Sequence, residues 1–244
     1  MYACTVWVID MRVSAQPAWV LHVRPWRETS MLVELFTPDY GRIGALSRSV
    51  RGPKRQWIRA VLQPFTPLRI DFQQRGELAN LGAVEPTAAP LPLSGESVLA
   101  GFYVNELLLR LTPRNDPPQA LFARYCALLD ALAGDASLAW TLRCFERDLL
   151  IQLGYALSFD HDANGAAIDP EARYRIDPEQ GAISALASDR SAVSGAQWLA
   201  LAADVEPEQA TLRVLRRVLR NQLERLLDGR PLRSWDMLGE LTYK

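Results

Sequence analysis

The sequence predicts an α+β protein in which a small closed sheet precedes a helical domain. Three observations point there. Between Ala18 and Glu85, short runs of alternating or clustered apolar and β-branched residues recur between turn signals. After Pro86 the stretch PTAAPLPLSG, rich in proline and small residues, interrupts that pattern. Beyond it, apolar residues return at helical spacing. The expected division is an N-terminal domain over 1–88 and a mainly α-helical C-terminal domain over 89–244, with a small strand-and-turn insertion at about 155–190.

Taken in order, AWVLHV, MLVELFT, RIGALS, PLRIDF and ELANLGAV are the expected strands, separated by Pro-Trp, Pro-Asp-Tyr-Gly and Gln-Arg-Gly turns. So many strands in so short a stretch predict closure, because an open sheet would leave unprotected edges. A five-stranded OB-type barrel meets that demand, and an SH3-like barrel would give much the same pattern. The apolar run Ala3–Ile9 in the leader has no basic residue before it. It is short for a signal-peptide core and far too short to span a membrane. It reads either as an added edge strand or as sequence upstream of a start at Met11, so residues 1–17 are set apart from the barrel.

In the helical part, Ser97–Leu111 places Val98, Phe102, Asn105/Leu108 and Leu109 near one face. Gln119–Ala133 aligns Leu121, Tyr125, Leu128, Leu129 and Leu132, and Leu138–Leu153 aligns Leu142, Phe145, Leu149, Ile151 and Leu153 before a stop at Gly154. YALSF, HDANGAAIDPEA and YRIDPEQGAIS form the insertion. Helices resume at Gln197, run strongly from Pro207 to Asp228, and leave a short closing segment at Ser234–Leu241.

Net charge is −1, so no global field draws the chain to a polyanion and only the distribution of charge matters. Residues 1–85 carry a net +4 and the remainder −5. Of 27 basic residues only Lys54 and Lys244 are lysine, a uniform bias that reflects base composition more than one site. The three cysteines, Cys4, Cys126 and Cys144, are odd in number and far apart. That argues against a disulfide framework or a cysteine zinc site and for a reducing cytoplasm.

The densest signal is Gly41–Arg59, which holds Arg42, Arg48, Arg51, Lys54, Arg55 and Arg59 without a single acid and includes Trp57. Basic grooves beside aromatic rings suit nucleic acid, because neutralised phosphates release counterions and bases stack on the rings. Trp26 and Tyr40 are further aromatic neighbours, and a solvated surface loop is the bland alternative. Gly41-Arg-Ile-Gly44 fits a hairpin turn rather than a clamp between helices. Arg213, Arg216, Arg217 and Arg220 share one helix face opposite Leu212, Leu215 and Leu219, either a second DNA surface or a solvated face paired with Glu208 and Glu224. Asp160, His161, Asp162 and Asp169 invite a metal, but adjacent residues seldom ligate one ion together and Asn164-Gly165 marks a plain turn. His22, in an apolar strand, reads as structural. No nucleotide-binding, nucleophile-elbow or zinc-protease motif is present, so no catalytic, cofactor-binding or metal residue is assigned.

Six ordered segments resemble the RecO family of bacterial recombination mediators: Val20–Arg55, Leu62–Leu68, Leu91–Gly95, Tyr103–Leu111, Leu142–Tyr155 and Gly229–Leu238. The resemblance implies an N-terminal OB-fold, a helical C-terminal domain and no catalysis. It also implies binding of single- and double-stranded DNA, annealing of complementary strands, docking of the acidic tail of single-strand-binding protein (SSB), and cooperation with RecR in loading RecA. It places DNA at Arg48, Arg51, Lys54 and Arg55, and the SSB tail at Arg143 with Leu142 and Phe145. Some members hold zinc through four cysteines in the region equivalent to Phe159–Ser184; this sequence has none there, which implies a metal-free insertion. The leader through Pro17 stands outside the family pattern. A protein-binding adaptor, or a metal-dependent nuclease using the Asp160–Asp169 acids, are the alternatives.

Overall fold

A computed structural model describes residues 11–50, 56–155, 158–177, 179–189, 192–227 and 229–235. The chain divides into two compact units, Met1–Ala123 and Arg124–Lys244.

In the first unit, β1 (Met11–Trp26), β2 (Ser30–Thr37), β3 (Gly41–Ser47), β4 (Pro67–Gln74) and β5 (Ala79–Pro86) close into a barrel in the order β1-β2-β3-β5-β4. All neighbours are antiparallel except β3 and β5. That single parallel pair, with a helix between β3 and β4, is the OB arrangement. Strict alternation drives β4: Leu68, Ile70 and Phe72 point into the core and Arg69 points out. β1 serves two partners, pairing β4 through Met11–Trp19 and β2 through Trp19–Trp26. Its register shifts between Val13 and Gln16, where Ala15 takes a positive φ of 57° and its amide donates to Asp71 Oδ1 at 2.8 Å. A bulge of this kind bends a strand enough to close a small barrel. Residues 11–17, set apart as leader from the sequence, are therefore the first half of β1.

β2 is buried on both faces. Met31, Val33 and Leu35 fill the barrel. Phe36 packs on Phe122 with ring centroids 5.4 Å apart, and Asn105 Nδ2, on α2 (Glu96–Leu111), donates to Leu21 O at 3.1 Å. The compact unit thus runs on past residue 88, because α2 lies on β1. The buried stripe of α2 is Ala100, Tyr103, Val104, Leu107 and Leu108. Of the expected face, Asn105 and Leu108 are buried, whereas Phe102 is exposed and Leu109 half-buried. Gly101 lies on the buried side, where a Cβ would meet the Phe65 ring at 2.7 Å, and the Phe102 ring packs against Phe65 at a centroid distance of 5.1 Å.

The division between units falls within α3 (Gln119–Ala133), whose expected apolar stripe is buried throughout. In the second unit α4 (Leu138–Gln152) is N-capped by Ser137 and buries Leu142, Phe145, Leu149 and Leu150, whereas Ile151 is 48% exposed, against expectation. The insertion is a three-stranded sheet ordered β7-β6-β8, with β6 Arg173–Asp177, β7 Gly181–Ser184 and β8 Val193–Ser194. A capping box between Ser194 and Gln197 starts α5 (Gly195–Ala202), and α6 (Gln209–Leu226) buries Leu212, Leu215, Val218, Leu219 and Leu223. No helix among the described residues is long and apolar enough to cross a membrane.

Candidate nucleic-acid interface

The register of the β1-β2-β3 meander sorts the basic residues into two places. Trp26 pairs Ser30, and Met31 pairs both Pro25 and Ser47, so the β1-β2 turn and the end of β3 share one edge, spanning roughly 10 Å over two strand spacings. Arg24, Arg27 and Arg48 are exposed there, and the Arg24 guanidinium stacks 5.4 Å from the centroid of the Trp26 ring. A cation held on an aromatic face is suited to phosphate and base together. Trp26 is an expected aromatic neighbour, whereas Arg24 stands outside the acid-free run and is not among the expected contacts. The Arg-Pro-Trp-Arg string in a turn was the signal available.

β3 leads on to α1 (Gln56–Val61), which has a clear division of faces. Ile58 and Leu62 enter the barrel core with Val61 packed against it, which is i, i+3, i+4 spacing. Trp57 and Arg59 consequently face out, and Trp57 is 54% exposed. A large aromatic left in water on a short helix gains nothing for folding, and it offers a stacking surface. Arg51, Lys54 and Arg55 lie outside the described residues.

Arg42, at the other end of the meander, is differently employed. Its Nη1 donates to Glu34 Oε2 at 2.9 Å, and its Nε and Nη2 donate to Thr112 O at 3.1 and 2.7 Å. With only 14% of its side chain exposed, it has little surface to offer a phosphate. The same carboxylate takes the Arg114 guanidinium, and Gly44 makes room for it: a Cβ at Gly44 would lie 2.9 Å from Arg114 Cζ. Gly41, with φ of 63°, lies so close to the Asp116 carbonyl that a Cβ would meet its oxygen at 2.0 Å. The Gly-x-x-Gly string is thus a turn and a packing site. Tyr40 is no base platform either; its ring sits edge-on to Phe72 at 5.3 Å. His22 is exposed rather than buried in its strand.

In the second unit Leu142, Arg143 and Phe145 are all interior. Arg143 closes on Glu146 through two donors, Nε at 2.8 Å from Oε2 and Nη2 on Oε1. The arginines of α6 share a helix face but differ in exposure and partners. Arg220 is held by Glu224 at 2.8 Å and lies 4.4 Å from the centroid of the Trp235 ring, while Arg213 and Arg217 are exposed and Arg216 is half-buried. The acids of the insertion serve their own turns. Asp162 Oδ1 accepts from the amides of Asn164 and Ala166, Asp169 Oδ1 from that of Glu171, and Asp160 pairs with His161. Among the described residues no group of three or more His, Cys, Asp and Glu could hold a metal ion.

Comparison with known proteins adds sequence-wide likeness to this geometry. Family models described as Recombination protein O N terminal and Recombination protein O C terminal match residues 11–90 and 93–236. The chain is 49% identical over 239 residues to the DNA repair protein RecO of Xanthomonas oryzae pv. oryzae (strain PXO99A), covering 96% of this chain and 100% of that protein. It is 48% identical to that of Xanthomonas campestris pv. campestris (strain B100), covering 96% and 99%. Identity to that of Stenotrophomonas maltophilia (strain K279a) is 46%, covering 95% and 99%. An OB barrel followed by a helical region, matched along nearly its whole length, identifies the chain as a member of the RecO family of DNA repair proteins.

Proposed function

We propose that this protein is a non-catalytic recombination mediator that binds and anneals single-stranded DNA, engages the SSB tail and RecR, and promotes loading of RecA. The observation that carries the DNA contact is the outward pair Trp57 and Arg59 on α1, together with the exposed Arg24, Arg27 and Arg48 and the Trp26 ring at one meander edge. Arg51, Lys54 and Arg55 join β3 to α1 in sequence and extend the same acid-free run. Annealing brings two like-charged strands together, and a cationic surface lowers that barrier by displacing counterions. Arg42 takes no part, being committed to Glu34 and Thr112.

The SSB tail is assigned to the helical unit at Arg143, Leu142 and Phe145. Because Arg143 is closed on Glu146, an incoming acidic tail has to exchange its carboxylate for that of Glu146. Holding SSB this way localises the protein on coated DNA through effective concentration. The test is annealing of complementary oligonucleotides, naked and SSB-coated. Acceleration in both cases, lost from the coated case alone in Arg143→Ala, supports the proposal. Cleavage of the strands, or no acceleration of either, overturns it.

A further inference from the structure

α6 and β6 enclose a cleft of about 430 Å³ that neither the barrel surface nor the tail site accounts for. Arg175 reaches it from β6, and Arg217, Asn221 and Arg225 from α6. Gln222 Nε2 donates to Ile176 O at 3.4 Å and ties the two walls together. The three arginines are exposed and, among the described residues, none of their guanidinium groups donates a hydrogen bond or joins an ion pair within 4 Å. Their counterpart is Asp177. Its carboxylate accepts from the amides of Glu179 at 3.0 Å and Gln180 at 3.2 Å, which hold it below the usual carboxylate range, with Arg225 and Arg175 adding to the effect. The cleft therefore carries three guanidinium charges against one carboxylate.

We infer that this cleft is a second phosphate-binding surface, one that takes the sugar-phosphate backbone of a nucleic-acid strand. The inference deepens the mediator proposal and rests on it. Arg213, Arg217, Asn221 and Arg225 recur every fourth residue on α6, so they form a ridge about 18 Å long at 1.5 Å rise per residue. A duplex strand carries one charge per ~3.4 Å of axis, so such a ridge follows several successive phosphates. Guanidinium forks match phosphate oxygens, and the exposed amide of Asn221 adds a neutral donor. Five of the eight lining residues are arginine, asparagine or glutamine, against the two apolar ones Ile176 and Val218, a balance that suits a repeating phosphate backbone better than a peptide anchored by large apolar side chains. This differs from the stripe expected in the sequence, because Arg220 is withdrawn by Glu224 and Trp235 and the insertion contributes Arg175.

The experiment compares wild type, Arg175→Gln/Arg217→Gln/Arg225→Gln and the matching triple lysine variant. Each is checked for fold by circular dichroism, since the side chains are exposed. Two readouts are taken: affinity for a single-stranded oligonucleotide against salt, and capture of a second labelled strand by a protein already bound to a first. The glutamine variant is expected to lower the salt slope by about 2, so that between 50 and 200 mM salt it loses about 20-fold less affinity than wild type. Second-strand capture should fall at least tenfold and recover with lysine. Unchanged slope and capture, with wild type binding normally, overturn the cleft and leave the barrel surface standing. The cleft is likewise overturned if DNA behaviour is unchanged and only an acidic peptide such as polyglutamate is lost. Failure of wild type to bind any oligonucleotide sinks the mediator proposal itself.

Discussion

Arg42→Ala separates a structural arginine from a DNA-binding one. The substitution deletes one donor to Glu34 at 2.9 Å and two to Thr112 O at 3.1 and 2.7 Å. Thr112 is buried and caps α2, so its carbonyl loses two charged donors in a site water reaches poorly. An unsatisfied buried acceptor costs about 1–3 kcal/mol, and breaking a buried ion pair about 3–5 kcal/mol. Glu34 keeps Arg114, which softens the second figure, and the expected loss is about 3 kcal/mol. With a denaturant slope of about 2 kcal/mol per molar urea, the unfolding midpoint falls by about 1.5 M. Equilibrium urea unfolding measures this, and a salt series of oligonucleotide affinity on the same protein provides the control. The expected result is a large stability loss with an unchanged salt slope. Full stability combined with a slope lower by about 0.7, the signature of one lost contact to single-stranded DNA, would refute the assignment of Arg42 to the fold.

Trp57→Ala should leave stability within about 0.5 kcal/mol, as for most surface changes. It should weaken single-stranded DNA by about 1–3 kcal/mol of lost stacking in a fluorescence titration, and duplex far less. Gly41→Ala forces a positive φ on alanine and drives a Cβ into the Asp116 carbonyl, so urea unfolding should show a loss above about 2 kcal/mol. Burial pushes the Cys144 thiol up to about 11. In a Cys4→Ala/Cys126→Ala background it should react with a disulfide reagent at pH 8.5 far more slowly than in urea. The folded state then holds a proton the unfolded state has released, so the thiol's stabilising contribution is present below its unfolded pKa and declines as pH rises from about 9 toward 11. Cys144→Ala should flatten that decline in pH-dependent unfolding.

The barrel was legible because period-two alternation survives in β4 and because MLVELFT is apolar enough for a strand covered on both sides. The first half of β1 was not, since Met-Arg-Val-Ser-Ala-Gln-Pro is broken by the bulge at Ala15, whose support comes from Asp71 fifty-six residues away. The face of α2 was only half legible, with Asn105 and Leu108 buried as expected but Phe102 exposed, because the helix is apolar over most of its circumference and its neighbours, Leu21 O at Asn105 and the Phe65 ring at Gly101, are distant in sequence. Charge alone could not sort the arginines. Arg42 depends on Thr112, seventy residues distant, which no local pattern reveals. Arg143 and Glu146, by contrast, stand three apart on a helix, and their pairing could have been read from spacing. The cleft arginines were half visible: Arg217 belonged to the expected stripe, but nothing local joined it to Arg175 on a strand of the insertion.

The most direct measurement is the affinity of the full chain for a single-stranded oligonucleotide across a range of salt, for wild type and for Arg48→Gln/Arg59→Gln. Both side chains are exposed, so both proteins should fold alike. Wild type should bind with a steep negative salt slope, and the variant's slope should be shallower by about 1.4. Identical slopes in two folded proteins, or a wild type that ignores the oligonucleotide even at low salt, would contradict a barrel that grips DNA by charge.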